Sequence, residues 1–460
     1  MTTGRYAGRH VLVAGAGVSG VPVVEALLAA GADVTVTDRD AAALQRVAAL
    51  GGRAVLDAAA VPAGIDEIVT SPGWRPDHPL LAAAVAAGLE VYSEPELAWR
   101  LRGADAPPWL AVTGTNGKTT TVTMLASMLR AAGLRTAAVG NIGTPLLTAA
   151  LDPAYDVLAV ELSSFQLHWS SAGAPRAGVV LNLADDHLDW HGGFDSYSRV
   201  KTAVWRGNDV AVGNADDPRV TALLARAGAP RTAAFTLAVP RPGELGVVED
   251  LLVDRRFVAD PAHAEGLGTV ADVRPAGPHN VANALAAAAL ARAYGVSAEA
   301  VAAGLAEYRP EPHRNAPVAE VGGVTYVDDS KATNPHAALA SLQSYARVVW
   351  VAGGLFKGVP VDDLVEAVAG RLAGAVLLGA ERATVAEALR RHAPDVPVID
   401  VPATDDGAMV QVVESAARLA LPGDVVLLAP AAASLDMFPG YAARGEAFAA
   451  AVRGLGADRA

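Results

Sequence analysis

Cysteine is absent from the 460-residue chain, which removes any disulfide framework and any thiolate metal site. That absence is compatible with a reducing compartment and does not demand one. An uninterrupted apolar run of about 18 residues, the minimum for a membrane-spanning helix, is missing too, and residues 1–10 lack the apolar core of a secretion signal. A cytoplasmic protein with no membrane span is therefore expected. Positive charge is scarce: 36 basic against 49 acidic residues leave a formal charge of -13, which disfavours a broad electrostatic grip on nucleic acid. An anionic substrate must then be held by a few local cations. No internal repeat at solenoid periods is visible.

What is present is apolar and periodic. Hydrophobic residues make up 52% and charged residues 18%, ample for packed cores and with no case for disorder. The chain exceeds the usual domain size of about 100 to 200 residues, so more than one domain is required. Short Val/Leu/Ile runs alternate with helical stretches, the pattern of α/β layers around parallel sheets. Loop-like composition at 103–108 and around Pro310 and Pro312 separates three blocks, read as domains over 1–104, 105–311 and 312–460. In the last block the strands are expected at 324–327, 348–352, 375–378 and 425–428.

Two glycine loops carry the first chemical signal. Gly15-Ala16-Gly17-Val18-Ser19-Gly20 follows a strand at 10–14 and opens a helix, where free N–H groups and the helix dipole favour a diphosphate. Asp38, ending a second strand, is placed to meet a ribose or base edge. A second loop, Gly114-Thr115-Asn116-Gly117-Lys118-Thr119, lies between a strand at 109–113 and a helix over 120–132. Its glycines let backbone N–H groups approach phosphate oxygens, Lys118 can reach the β and γ groups, and the Thr119 hydroxyl suits Mg2+. A strict phosphate loop has glycine where this chain has Val112, which argues against an ordinary kinase or GTPase of that class.

The run through Thr120 resembles the signature of the Mur ligase superfamily, ATP-dependent amide-forming enzymes. Gly140-Asn141-Ile142-Gly143, Glu161 to Gln166, Asp186-His187-Leu188-Asp189, Lys201, Gly277 to Asn280, His313-Arg314, Asp329 to Asn334 and Pro430 to Phe438 extend the resemblance over nearly the whole chain. It implies three α/β domains: an N-terminal Rossmann-like domain for a UDP substrate, a central P-loop-like ATPase and a C-terminal Rossmann-like domain for an amino acid. It also implies a reaction. UDP-N-acetylmuramoyl-L-alanine would be activated by ATP as an acyl phosphate and attacked by the amine of D-glutamate, releasing ADP and phosphate for peptidoglycan precursor synthesis. A monomer is expected.

Residue roles follow from the same resemblance. Lys118, Glu161, His187, Lys201 and Arg314 are the catalytic candidates. Gly114 to Thr120, Asn280, Asn283, Arg314, Asp329 and Lys331 face ATP; for Asn280 the alternative is plain helix capping. Val18, Ser19, Asp38, Arg39, Ser71, Gly73, Asn141 and His187 face the UDP substrate. Thr333, Lys357, Ser434 and Tyr441 take D-glutamate, and Arg314 is expected to act when domains close. Thr119, Glu161, His187 and Lys201 are the metal candidates, Lys201 as a carbamate made with CO2. By spacing alone Lys201 reads as a solvated helix lysine. His187 and His191 stand at i, i+4, but no Glu follows the first His as in a zinc protease.

Other readings leave parts idle. A dehydrogenase explains Gly15 to Gly20 and leaves the Gly117-Lys118-Thr119 loop without work, while a nucleotide switch has no need of Glu161, His187 and Lys201 together. A diamino-acid-adding sister ligase would carry an Asp-Asn-Pro-Arg motif, which this chain lacks. A folylpolyglutamate synthase would not need the first glycine loop.

Overall fold

The computed structural model describes residues 4–260, 262–356, 358–404 and 407–457, so Lys357 lies outside the described residues. Three separate sheets form. In the first, all pairs are parallel and the strands run in the order Arg53–Leu56, Asp33–Asp38, His10–Ala14, Glu67–Thr70, Glu90–Ser93. The His10–Ala14 strand shows why its run is apolar throughout. Val11 and Val13 enter one core with Val23, Val24 and Leu27 of helix Gly20–Ala29, whereas Leu12 and Ala14 enter another with Ile68, Leu80 and Leu81. Successive side chains of a strand point to opposite faces, and both faces are covered here.

The nine-stranded central sheet places Trp109–Thr113 between Ala177–Val180 and Leu158–Glu161, with Ala138–Gly140 beyond the latter. Its other side is not the parallel sheet that the alternation predicts. Glu244–Val248, Leu251–Asp254 and Glu265–Thr269 pair antiparallel. Short connections explain this, because a parallel crossover needs a dozen or more residues, and only two separate the first of these strands from the next.

The third sheet orders Ala316–Val321, Val324–Asp328, Val425–Leu428, Val348–Ala352, Leu372–Leu377 and Val398–Asp400, antiparallel in its first pair only. The strand expected at 375–378 starts three residues earlier. Trp350 and Val351 point into different cores on the two faces.

Three sheets do not make three equally separate bodies. Residues up to Val273 together with Ala282–Tyr308 form one compact unit, and Arg274–Val281 with the residues from Arg309 onward form another. Within the first unit, the helix Glu94–Leu101 ties the first sheet to the second: Glu94 accepts the Leu147 N–H, and Glu96 accepts those of Ser171 at 3.0 Å and Ala172 at 2.9 Å. Among the described residues no helix is long and apolar enough to cross a membrane.

Candidate active site

Carboxyl ends of parallel strands gather at one edge of the central sheet, where such sheets place their ligands. Thr113 leads into the glycine loop there, Glu161 ends its own strand, and residues 181–187 follow Val180. The helix begins at Lys118, two residues earlier than its expected start and ends at Ala131. Val112 is fully buried and registered between Glu161 and Val179, so the departure from the strict phosphate loop is a core strand position. Gly117 has φ +84°, and a Cβ on it would meet Asn283 Oδ1 at 2.3 Å. Only glycine fits this approach.

Asn182 braces the loop. Its side chain accepts the Asn116 N–H at 2.9 Å and donates to the Asn116 carbonyl at 3.1 Å, while its own carbonyl accepts the Thr115 N–H at 3.1 Å. The strand Ala177–Val180 stops two residues short of Asn182, which frees its side chain for this work. Thr115 Oγ1 lies 2.9 Å from the Tyr197 hydroxyl. Lys118 Nζ donates back to the carbonyls of Gly114 at 2.9 Å and Thr115 at 2.8 Å. Thr120 is buried behind it in the same helix.

Glu161 is held from both sides. Thr119 Oγ1 donates to Oε2 and Asn141 Nδ2 to Oε1, each at 2.8 Å. Hydroxyl, carboxylate and amide oxygens are hard donors suited to Mg2+, an ion that shares its shell with phosphates and water. No trio of His, Cys, Asp or Glu stands ready for a metal among the described residues, so a protein-only cage is not formed. Asn141, expected to face the UDP substrate, thus sits beside the carboxylate at the phosphate loop.

Lys201 is not a solvated helix lysine. It is only 2% exposed, ends helix Phe194–Lys201, donates to the Gly114 carbonyl at 2.8 Å and lies 4.7 Å from the centroid of the Tyr197 ring. Burial pushes its amine well below the ordinary lysine value, the Lys118 cation pushes it further, and Asp186 and Glu161 oppose. His187 adopts a left-handed conformation at φ 52°, packs 4.7 Å from the Phe165 ring and has Nε2 3.6 Å from Asp186 Oδ2. His191 is turned to another task. Its Nε2 meets Ser164 Oγ at 3.0 Å, and burial lowers its pKa to about 4.

At the first glycine loop, a Cβ on Gly15 would meet Ser71 Oγ at 2.4 Å, so the loop and the segment Ser71 to Gly73 touch. Val18 is 82% exposed, and Ser19 makes no side-chain capping bond to the helix it precedes. Asp38 braces the loop: Oδ2 accepts the Ala16 N–H at 2.7 Å and Oδ1 that of Asp40 at 3.0 Å. Burial raises its pKa, yet backbone donors outweigh this and hold it below the usual carboxylate value. Arg39 pairs with Asp57 at 3.3 Å on the surface.

In the second unit, Asp329 accepts the Asn315 N–H at 3.1 Å; burial pushes its carboxyl up to about 6, and the Arg314 cation opposes. His313 Nδ1 lies 2.6 Å from Asp328 Oδ2. The Lys331 ammonium sits 3.8 Å from the centroid of the Tyr441 ring. Arg444, unflagged by any motif, is 1% exposed and donates to the Ser330 hydroxyl and to the Ser330 and Ala432 carbonyls, fixing the segments that carry Thr333 and Ser434. Asn280 is the third residue of helix Pro278–Tyr294, inside its first turn. Asn283 accepts from Thr121 Oγ1 at 3.3 Å.

Three family descriptions match in succession: the MurD-like N-terminal domain over residues 9–93, the Mur ligase middle domain over 112–291 and the Mur ligase glutamate ligase domain over 313–432. The UDP-N-acetylmuramoylalanine–D-glutamate ligase of Thermobifida fusca is 58% identical, over 97% of this chain and 99% of its own. That of Streptomyces avermitilis is 57% identical, over 98% and 99%. The chain belongs to this ligase family.

Its members are ATP-dependent ligases of peptidoglycan precursor synthesis. Solved structures show the same three-domain α/β fold. The alanine ligase MurC of Thermotoga maritima matches with a TM-score of 0.59 at 17% identity, over 97% of this chain and 99% of that one. The D-alanyl-D-alanyl ligase of Acinetobacter baumannii matches at 0.60 and 18%, over 96% and 93%. The dehydrogenase and switch readings fall with this membership.

Proposed function

We propose that the chain joins the carboxylate of UDP-N-acetylmuramoyl-L-alanine to the amine of D-glutamate, with ATP going to ADP and phosphate, as a cytoplasmic monomer with domains near 1–104, 105–311 and 312–460. The observation that carries this reading is full-length identity of 58% to a ligase named for that reaction. The phosphate-loop geometry supports it. A carboxylate is a poor acyl donor until it takes the γ-phosphoryl group, and two anions must be brought together for that transfer, which calls for cations and positioning.

Lys118 supplies the cation at the phosphates once its ammonium leaves the loop carbonyls. Thr119 and Glu161 would hold Mg2+, which neutralises phosphate charge when bound. Burial and the Lys118 cation lower the Lys201 amine well below the ordinary lysine value, which raises its neutral fraction. The neutral amine attacks CO2, the N–C bond forms as one C=O π bond opens onto oxygen, one proton leaves the nitrogen, and a carbamate anion then stands next to Lys118. Asn280, Asn283, Arg314, Asp329 and Lys331 serve the nucleotide, with His187 near the acceptor carboxylate. Val18, Ser19, Asp38, Arg39, Ser71, Gly73 and Asn141 serve the UDP substrate. Thr333, Ser434 and Tyr441 take D-glutamate, and Lys357 belongs to the same proposal.

The test is phosphate release from ATP and Mg2+ with UDP-N-acetylmuramoyl-L-alanine, offering D-glutamate, L-glutamate, L-lysine and diaminopimelate in turn. Release that depends on D-glutamate is expected. Release independent of any amino acid ends the ligase reading, and preference for another of the four moves the protein within the family.

A further inference from the structure

Arg75 follows the Ser71 to Gly73 segment of the first sheet and reaches the turn that carries His187. Its NH1 donates to Asp189 Oδ2 at 2.9 Å and its NH2 to the Asp189 carbonyl at 2.9 Å, so one guanidinium grips both the side chain and the backbone of a single residue. The fork is oriented beforehand: Nε donates to Asp77 Oδ1 at 3.1 Å. Trp74 adds an edge contact to His78 at 4.5 Å between ring centroids, and the Trp74 backbone N–H donates to the Ser71 carbonyl at 3.2 Å. Segment 71–78 is thus folded on itself and offers one cation outward.

The grip is not built for stability. The side chains of Arg75 and Asp189 are 43% and 77% exposed, and exposed pairs contribute little to folding. What it fixes is a position. Asp189 lies two residues beyond His187, whose φ of 52° is uncommon outside glycine and persists only where neighbours hold it. Helix Leu188–His191 is a single short turn and cannot do this alone. Ser71, at the other end of the segment, touches Gly15 of the first glycine loop.

We infer that Arg75 is a positioning residue: by clamping Asp189 it closes the Ser71 to Trp74 segment over the His187 turn and sets both for the UDP-linked acceptor. The clamp rests on the proposed ligase reading for its ligand. Its specific consequence is selective, since the residues proposed for ATP on the central loop, Gly114 to Thr120, lie outside both clamped segments, whereas Ser71, Gly73 and His187, proposed for the acceptor, lie within them.

The experiment compares full-length wild type with Arg75→Ala, Arg75→Lys, Asp189→Asn and the exchanged pair R75D/D189R. Steady-state KM is measured for UDP-N-acetylmuramoyl-L-alanine and ATP, and amide hydrogen exchange is followed without substrates over 71–78 and 186–193. Arg75→Ala is expected to raise the acceptor KM roughly fivefold to twentyfold, leave the ATP KM within about twofold, and speed exchange in both segments. Lysine keeps the charge and loses the fork, so it falls between. The exchanged pair recovers part of the loss. Unchanged exchange in Arg75→Ala overturns the clamp, and a raised acceptor KM with unchanged exchange replaces it by direct substrate contact. Exchange needs no turnover, so faster exchange in a protein whose wild type shows no amino-acid-dependent phosphate release upholds the clamp and overturns the ligase reading instead.

Discussion

At the scale of single residues, Lys201 illustrates how burial makes chemistry available. An exposed lysine is protonated at neutral pH and cannot attack CO2. This one is sealed by the Tyr197 ring and the phosphate loop, with a second cation, Lys118, beside it, so the neutral amine is favoured. Lys201→Ala should therefore lose most turnover, about a hundredfold or more on the scale of a removed electrostatic group, while ATP binding measured by calorimetric titration stays within about threefold. Lys201→Arg keeps a cation and cannot form a carbamate, so it should be no better than alanine. Near-normal turnover in either variant overturns the proposed carbamate. Sequence pattern alone pointed the other way for this residue. A lysine at the end of the polar helix Phe194–Lys201 reads as solvated, because the carbonyl that receives it, Gly114, is 87 residues away in sequence.

Among elements, the seam between helix Glu94–Leu101 and helix Leu146–Ala150 holds a carboxylate in an apolar setting. Glu94 is buried, and burial pushes its pKa up to about 7 against one stabilising bond, the Leu147 N–H. Below the ordinary Glu value of 4.5 the carboxyl is protonated in both folded and unfolded chains. Between 4.5 and about 7 the folded state binds the extra proton, so stability falls as pH rises through this window and the loss is complete above it. Glu94→Gln cannot ionise and should remove that slope: by urea unfolding, the variant gains on wild type by up to about 3 kcal/mol between pH 5 and pH 8. A constant difference across this range contradicts the assignment.

Elements of this kind were partly legible. Apolar runs at 10–14, 109–113, 348–352 and 425–428 gave strands at the same residues, because strands covered on both faces carry no polar interruption. The antiparallel strands between Glu244 and Thr269 were not separable from parallel ones, since direction is decided by connection length and by partners remote in sequence. Glycine loops were legible because positive φ and the close approach of neighbouring protein segments, as at Gly15 and Gly117, leave few choices of residue. Asn182, Arg75 and Arg444 were not, for their partners lie in loops that only the fold brings near.

For the molecule as a whole, two compact units divide what three sheets suggested, and the division has a thermodynamic consequence. The first unit holds both glycine loops; the second holds Lys331, Thr333, Ser434 and Tyr441. Units with separate cores unfold in separate steps unless coupling between them is strong, so one all-or-none transition is not expected. A ligand stabilises the unit that binds it by RT ln(1 + [L]/Kd), about 2.7 kcal/mol at a hundredfold excess over Kd, which corresponds to a rise of roughly 5–10 °C for a unit of this size. Scanning calorimetry should show two transitions, with UDP-N-acetylmuramoyl-L-alanine alone moving one of them. D-glutamate, whose proposed residues all lie in the other unit, should move the second transition and leave the first in place. One transition shifted equally by either ligand means that the sheets unfold as a single body, and the proposed assignment of the two substrates to separate units loses its thermal signature.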